Sequence, residues 1–339
     1  MAQKPEKLAA LAVIKKAAEP MSLSAVALSL GSTPERTLRR WFNVWTDEGV
    51  LEKLGQGRAT RYRYLIKEID PTTSFAFLSE LDIDLRHALI KQLRDLWTHN
   101  STAIEGNTLT LGDTHFVLEE GLTISGKPLK DHQEVIGHAK AIELLYGSLD
   151  QPLSETFIFD LHKAIQTENI TDIYKPYGAW KIESNDTYTI SIDGSQRFIE
   201  YALPTHVPVL MAQLIDYVNG IEIETLSLDN APELYAKIHM GVAHIHPFWD
   251  GNGRIARLIA NLPLLKAGLP PLVIPQTQRR EYIQVLANYQ IAVGQLNTVS
   301  GIWPKIDQLK KFQNFCRLIY SITKTLIDQA HALQHKRSL

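Results

Sequence analysis

Between two helix-patterned segments lies the run His244-Ile245-His246-Pro247-Phe248-Trp249-Asp250-Gly251-Asn252-Gly253-Arg254-Ile255-Ala256-Arg257. Pro247, Gly251 and Gly253 halt helix continuation inside it, and Arg254 to Leu265 resumes apolar positions at helical spacing. A fold built on this chain must therefore hold two helices around one tight polar turn. Such a turn exposes unpaired backbone N–H groups at the positive end of the following helix, which suits an anion and above all a phosphate. Arg254 and Arg257 stand one turn apart and can grip one polyphosphate from one side.

Two other readings compete for the run. Gly251, Gly253 and Ala256 match the spacing of a dinucleotide-binding fingerprint, but that motif needs a strand before it and an acidic residue about 20 residues on. Residues 251–280 hold no Asp or Glu, and the preceding pattern is helical, so this reading fails. His239, His244, His246 and Asp250 offer imidazole and carboxylate groups of the kind zinc or iron takes. His239 and His244 also suit packing within a helix, and no second ligand cluster of recognised spacing accompanies them.

The surrounding chain reads as mainly helical. Apolar positions recur at helical spacing over Leu85–His99, Leu111–Glu120, His132–Leu149, Ser154–Thr167, Val207–Asn219, Ala231–His244, Arg254–Ala267, Glu281–Val293 and Ile306 to about His335. Tyr188 to Ile192 instead has strand character. No stretch is long and apolar enough to span a bilayer, the short apolar run before Lys15 and Lys16 does not order itself as a signal peptide, and the single Cys316 excludes an intramolecular disulfide framework. A cytoplasmic protein is expected.

Charge divides the chain. Residues 1–66 carry eleven Lys and Arg against six Asp and Glu, whereas the remainder carries 24 against 31. In the basic part, a helix over Lys7–Ala18, a second over Ala25–Leu30 capped near Ser22, and a third restarting at Thr33-Pro34-Glu35 are predicted. The third places Leu38, Trp41, Phe42 and Trp45 on one face and Arg36, Arg39 and Arg40 on another. A hairpin with a glycine-containing basic tip follows, bearing Arg58, Arg61 and Arg63. This pattern resembles a winged helix-turn-helix domain, whose second helix and basic wing suit duplex DNA. A protein-docking module with solvated arginines is the alternative.

The segment His246 to Arg257 resembles the signature of Fic-domain proteins, HxFx(D/E)GNGRxxR, at each fixed position, and the likeness extends over roughly residues 80–300. The resemblance implies transfer of AMP from ATP to a hydroxyl of a target protein, with pyrophosphate released. In that scheme His246 takes the hydroxyl proton, Asp250 holds Mg²⁺, and the Gly251-Asn252-Gly253 turn stabilises charge on the phosphate oxygens. Arg254 and Arg257 hold the β- and γ-phosphates, while Tyr282 and, more weakly, Gln290 fall where relatives contact adenine and ribose, with a buried packing role as the alternative for Tyr282. Gly178 to Lys181, followed by Ile182 to Ile190, sits where the family has a β-hairpin flap that aligns the target segment.

Ser101-Thr102-Ala103-Ile104-Glu105-Gly106 resembles the family's inhibitory motif, (S/T)xxxE(G/N). That likeness implies that Glu105 pairs with Arg257 and occupies the γ-phosphate position. The expected architecture is therefore mainly α, with an N-terminal winged helix-turn-helix over 1–66 and a linker over 67–84. An all-α Fic domain follows over 85–300, with a small β-hairpin flap and an inhibitory helix near 101–107, and then a C-terminal helical segment over 301–339. ATP and Mg²⁺ are the expected small molecules, a target protein and duplex DNA the expected partners, with homodimerisation left open. The alternative function is a DNA-binding regulator whose Fic domain senses nucleotide or removes AMP.

Overall fold

A computed structural model describes residues 7, 9–10, 13–14, 17, 20–31, 33–47, 51–55, 57–64, 75–166, 172–190 and 195–337. The chain divides into two units, Met1–Glu68 and Ile69–Leu339.

In the first unit, α1 (Leu23–Leu30) starts where the Ser22 side chain accepts the Ala25 N–H and stops at Gly31, whose φ of 68° returns its N–H to the Ala27 carbonyl. Helix α2 (Glu35–Asp47) buries Leu38, Trp41, Phe42 and Trp45, the face that the spacing predicts, and leaves Arg36, Arg39 and Arg40 exposed. Strands β1 (Leu51–Leu54) and β2 (Arg61–Tyr64) pair antiparallel, with Leu51 opposite Tyr64. Met21 bridges to Tyr62, and the Phe42 and Tyr62 rings meet edge to face at 4.9 Å. Most of the helix expected over Lys7–Ala18 lies outside the described residues, although Ala10 and Ile14 are buried in this core. The Arg58 side chain also lies outside them.

The second unit is built from helices around one core. Its elements are α3 (Ile83–Ile104), α4 (Leu111–Glu120), α5 (Leu129–Tyr146), α6 (Glu155–Ile165), α7 (Val207–Asn219), α8 (Ala231–Ile245), α9 (Asn252–Ile259), α10 (Leu262–Lys266), α11 (Arg279–Val293) and α12 (Lys310–Arg337). Helix α8 is the central rod, with Ala236, Ile238, Met240, Val242 and Ile245 all fully buried. A side chain at Gly241 would meet Leu214 at 2.8 Å and Trp303 at 3.1 Å, so α7 and the 302–303 segment approach α8 more closely than any larger residue allows. Among the described residues no helix is long and apolar enough to cross a membrane.

Three expectations change. The helix expected over Arg254–Ala267 is broken into α9 and α10, because Pro263 near the start of α10 lacks an N–H and cannot continue a helix. Asn261 closes the break by donating to the Arg257 and Leu272 carbonyls and accepting the Leu272 N–H. The supposed linker is in part core: Phe75, Leu78 and Leu81 are buried in the second unit, with Phe75 against Tyr146 at 5.3 Å. The hairpin starts later than expected. β3 (Thr187–Ile190) pairs with β4 (Gln196–Ile199), whereas Gly178–Lys181 forms no strand and Lys181 donates its backbone N–H to the Pro247 carbonyl.

Candidate active site

The polar run closes into a compact loop between α8 and α9. His246 ends α8 in the left-handed region (φ 54°, ψ 58°), and among the described residues it is the one non-glycine there. Such a conformation costs a non-glycine residue on the order of 1–3 kcal/mol, so the surrounding contacts must hold it. Its ring stacks on Tyr201 at 3.7 Å with 9° between planes. His246 Nδ1 lies 3.2 Å from the Ala243 carbonyl, which only accepts, so Nδ1 carries the proton and Nε2 keeps its lone pair. Burial, reinforced by the Lys181 charge, pushes the imidazole down to about 3, leaving it neutral near pH 7.

Asn252 holds the loop shut by accepting the Phe248 N–H at 2.8 Å and donating to the Phe248 carbonyl at 2.7 Å. Its side chain is therefore committed to the loop itself. Phe248 is fully buried between Trp180 and His162. His162 was not singled out in the sequence, yet it lies flat on Phe248 at 4.0 Å. Its Nε2 donates to the Asp250 carbonyl at 3.3 Å and its Nδ1 accepts the Gly178 N–H at 3.1 Å. Burial drives it down to about 4, and the neutral form is the one that can donate and accept at once. A lone histidine on a helical pattern carries no mark of this role.

Gly251 caps α9 with φ 78°, so the unpaired N–H groups of the first turn begin where the loop ends. Asp250 is 54% exposed and lies 3.4 Å from Arg254 Nη2. Arg254 is buried and also donates to the Ile165 carbonyl at 3.2 Å, while its Nε finds no partner among the described residues. Arg257, fully buried, uses all three of its nitrogens. It donates to Ser101 Oγ (2.9 Å), the Ser101 carbonyl (2.8 Å), Glu105 Oε1 (2.7 Å) and the Tyr282 hydroxyl (3.2 Å).

Glu105 is 41% exposed. Burial would raise its carboxyl, but Arg257, with Arg254 and Arg279 behind it, holds it below the usual carboxylate range. A side chain at Gly253 would come within 2.5 Å of Glu105 Oε1, so this carboxylate sits directly against the first turn of α9. Gly106, at φ 105°, ends α3 just beyond it, returning its N–H to Ala103.

Tyr282 and Gln290 are both buried, as the packing alternative for Tyr282 has it. Tyr282 is 3% exposed, and its hydroxyl accepts from Arg257 and donates to His239 Nε2 at 2.9 Å. Gln290 is buried and donates to the Ala243 carbonyl, the acceptor that His246 also uses. Both support site residues from behind, because α11 turns these positions inward. The histidine–carboxylate metal set does not assemble either. His239 is taken up by Tyr282, and no group of three or more His, Cys, Asp or Glu suited to a metal occurs among the described residues. Of that set, Asp250 remains as an exposed oxygen donor. One carboxylate fits Mg²⁺, which keeps waters and takes phosphate oxygens for the rest of its shell.

Residues 152–264 match the Fic/DOC family. A protein adenylyltransferase fic-1 from Caenorhabditis briggsae is 35% identical over 205 residues, which are 58% of this chain and 37% of that one. A protein adenylyltransferase Fic from Drosophila virilis is 31% identical over 234 residues, 66% of this chain and 43% of that one. The chain thus spans less than half the length of these relatives. Among solved structures, a Fic-domain-containing signalling protein from Bacteroides thetaiotaomicron superimposes with a TM-score of 0.65 at 28% identity, covering 79% of this chain and 97% of its own. Fic-1 from Caenorhabditis elegans shares the fold, with a TM-score of 0.56 at 22% identity, covering 98% of this chain and 83% of its own.

Proposed function

We propose that the chain carries a Fic domain and is a protein adenylyltransferase, moving AMP from ATP to a Ser, Thr or Tyr hydroxyl of a target protein. The observation that carries this reading is the state of His246: a neutral ring, fixed as the Nδ1–H tautomer, with an unshared pair on Nε2, at the start of the loop that leads into α9. Nε2 accepts the target hydroxyl proton while that oxygen bonds to the α-phosphorus. The bond from the α-phosphorus to the bridging oxygen breaks, and pyrophosphate leaves with the electron pair. The α9 N-terminus and the Arg254 guanidinium supply donors for the phosphate oxygens. Mg²⁺, held by Asp250, would neutralise phosphate charge.

We read Glu105 as a brake on that reaction. Its carboxylate occupies the first turn of α9 and engages Arg257, so it competes with the γ-phosphate for one cation and one patch of backbone. In the first unit, the order α1, α2, β1, β2 and the exposed Arg36, Arg39 and Arg40 support a winged helix-turn-helix that binds duplex DNA through phosphates. Arg61, also exposed, donates to the Thr60 carbonyl, and Arg63 pairs with Glu52 at 2.6 Å, which leaves the wing less charge than its sequence suggests.

The deciding experiment is incubation with α-labelled ATP, Mg²⁺ and lysate. Labelled protein bands are expected, and their absence with the Glu105→Gly protein as well would defeat the transferase reading. For the first unit, a mobility shift on a genomic fragment library at low salt should vanish on reversing the charge of Arg39 and Arg40. No shift at low salt would leave protein docking as the better account.

A further inference from the structure

Resting on the adenylyltransferase reading, we propose that Tyr201 is a positioning residue for the base: it holds the His246 ring flat and ties that alignment to the seating of the β3–β4 hairpin. Tyr201 follows β4 by two residues and is only 6% exposed. The stack at 3.7 Å and 9° covers one face of the imidazole. The opposite restraint is on the ring's edge, where Nδ1 meets the Ala243 carbonyl, itself fixed by Gln290. An edge contact alone leaves the ring free to tilt, because χ2 of histidine is a broad torsion. A flat aromatic neighbour removes that tilt, and together the two contacts aim Nε2 in one direction.

Tyr201 is in turn fastened to the hairpin. Its backbone N–H donates to Asp186 Oδ1 at 2.8 Å, and its hydroxyl shares a 2.8 Å hydrogen bond with Thr187 Oγ1, the first residue of β3. Lys181 Nζ lies 5.8 Å from the Tyr201 ring centroid and donates to Asn185 Oδ1, while Asn185 donates on to the Phe248 carbonyl of the loop. The hairpin's base, the Tyr201 ring and the catalytic loop are thus one connected set. Tyr188 and Phe198, directly paired across the strands with ring centroids 5.1 Å apart, expose an apolar outer face. A target segment pressing on that face moves β3, and the Thr187 link carries the movement to the ring that aligns the base.

The test uses the full chain, with self-labelling by α-labelled ATP read in the Glu105→Gly background and the His246 tautomer read from ring ¹⁵N shifts near pH 7. The tautomer does not depend on any activity. Tyr201→Leu should mix the two neutral tautomers and lower the rate at saturating ATP roughly 10- to 100-fold, the scale of a 1 Å misplacement, with KM for ATP within about twofold. Tyr201→Phe, which keeps the stack but loses the hydroxyl bond to Thr187, should restore the single tautomer and leave a rate only severalfold below wild type. Thr187→Val, an exposed substitution, should keep the stack but lower the rate severalfold. A folded Tyr201→Leu protein with the wild-type tautomer and rate would overturn the proposal. Should that variant not fold, wild-type rates for both Tyr201→Phe and Thr187→Val would overturn the coupling to the hairpin. A protein inert toward ATP and lysate, in which Tyr201→Leu still mixes the tautomers, would defeat the transferase reading and leave the positioning role intact.

Discussion

Arg254 and Arg257 come from one motif, one helix and one turn of spacing, yet the structure treats them differently. Arg257 is satisfied from three directions, by Ser101, Glu105 and Tyr282. Arg254 has one longer contact to an exposed carboxylate, one to a backbone carbonyl, and an Nε without a partner among the described residues. A buried guanidinium left partly unsatisfied is costly unless something else completes it. The difference teaches that the two sides of this helix end do different work. On one side the chain supplies its own anion, Glu105, and on the other a buried Nε–H has no partner among the described residues.

The sharpest break of that comparison is at the open side. His246→Ala removes the proton acceptor while leaving Arg254, Arg257 and the α9 N-terminus in place. Transfer from α-labelled ATP should fall by about 10²- to 10⁴-fold, the scale of a lost general base. Nucleotide binding measured by calorimetry should change little. A variant with a normal melting curve and near-wild-type labelling would remove His246 from the chemistry.

The closed side is tested by taking the chain's own anion away. Glu105→Gly frees the Arg257 guanidinium and the first turn of α9, and labelling should rise by about 100-fold if the brake misaligns the α-phosphate by around 1 Å. Arg257→Ala should lower labelling, because the same guanidinium is needed once Glu105 has left it. The double variant should follow Arg257→Ala, since releasing the brake cannot replace the missing contact. Arg257→Ala also strands Ser101 and Tyr282, so its melting curve must be taken alongside. Equal labelling by wild type and Glu105→Gly across ATP concentrations would take Glu105 out of the mechanism.

What could be read from the sequence follows the same division. The helix ends, the glycine turn and the two arginines were legible because backbone rules and short motifs act locally. The α2 face of Leu38, Trp41, Phe42 and Trp45 was legible because period alone decides which residues meet the core. The burial of Tyr282 and Gln290 could not be read from the motif, because a motif-based correspondence says which residue lies near a site, not which way its helix is turned. His162 and Tyr201 went unnoticed because their roles come from contacts 88 and 45 positions apart in the chain, to Asp250 and His246. β4 was missed because Gln196-Arg197-Phe198-Ile199 has no strand pattern until Thr187–Ile190 pairs with it.

The smallest expected effect separates the folding role of the buried histidines from their place in the site. His162 titrates near 4 in the folded chain against an ordinary 6.5, because burial disfavours its charged form. The unfolded chain therefore binds more protons between those values, and the stability tied to the neutral ring is complete above about pH 6.5 and lost as pH falls toward 4. A shift of that size corresponds to at most about 3 kcal/mol for a fully buried ring. Protonation would also set a second ring N–H against the Gly178 N–H that Nδ1 now accepts. The carboxylates held low by partners, Glu105 and Glu119 among them, give up their contribution only below the usual carboxylate range, so the window from pH 6.5 to about 4.5 isolates the histidines. Urea midpoints should be level from pH 8 to 7 and decline through that window. In His162→Gln, which keeps a donor and an acceptor but cannot titrate, the midpoint should start lower and decline less. An equal decline in both proteins would place the pH dependence on other groups and leave His162 as a packing residue.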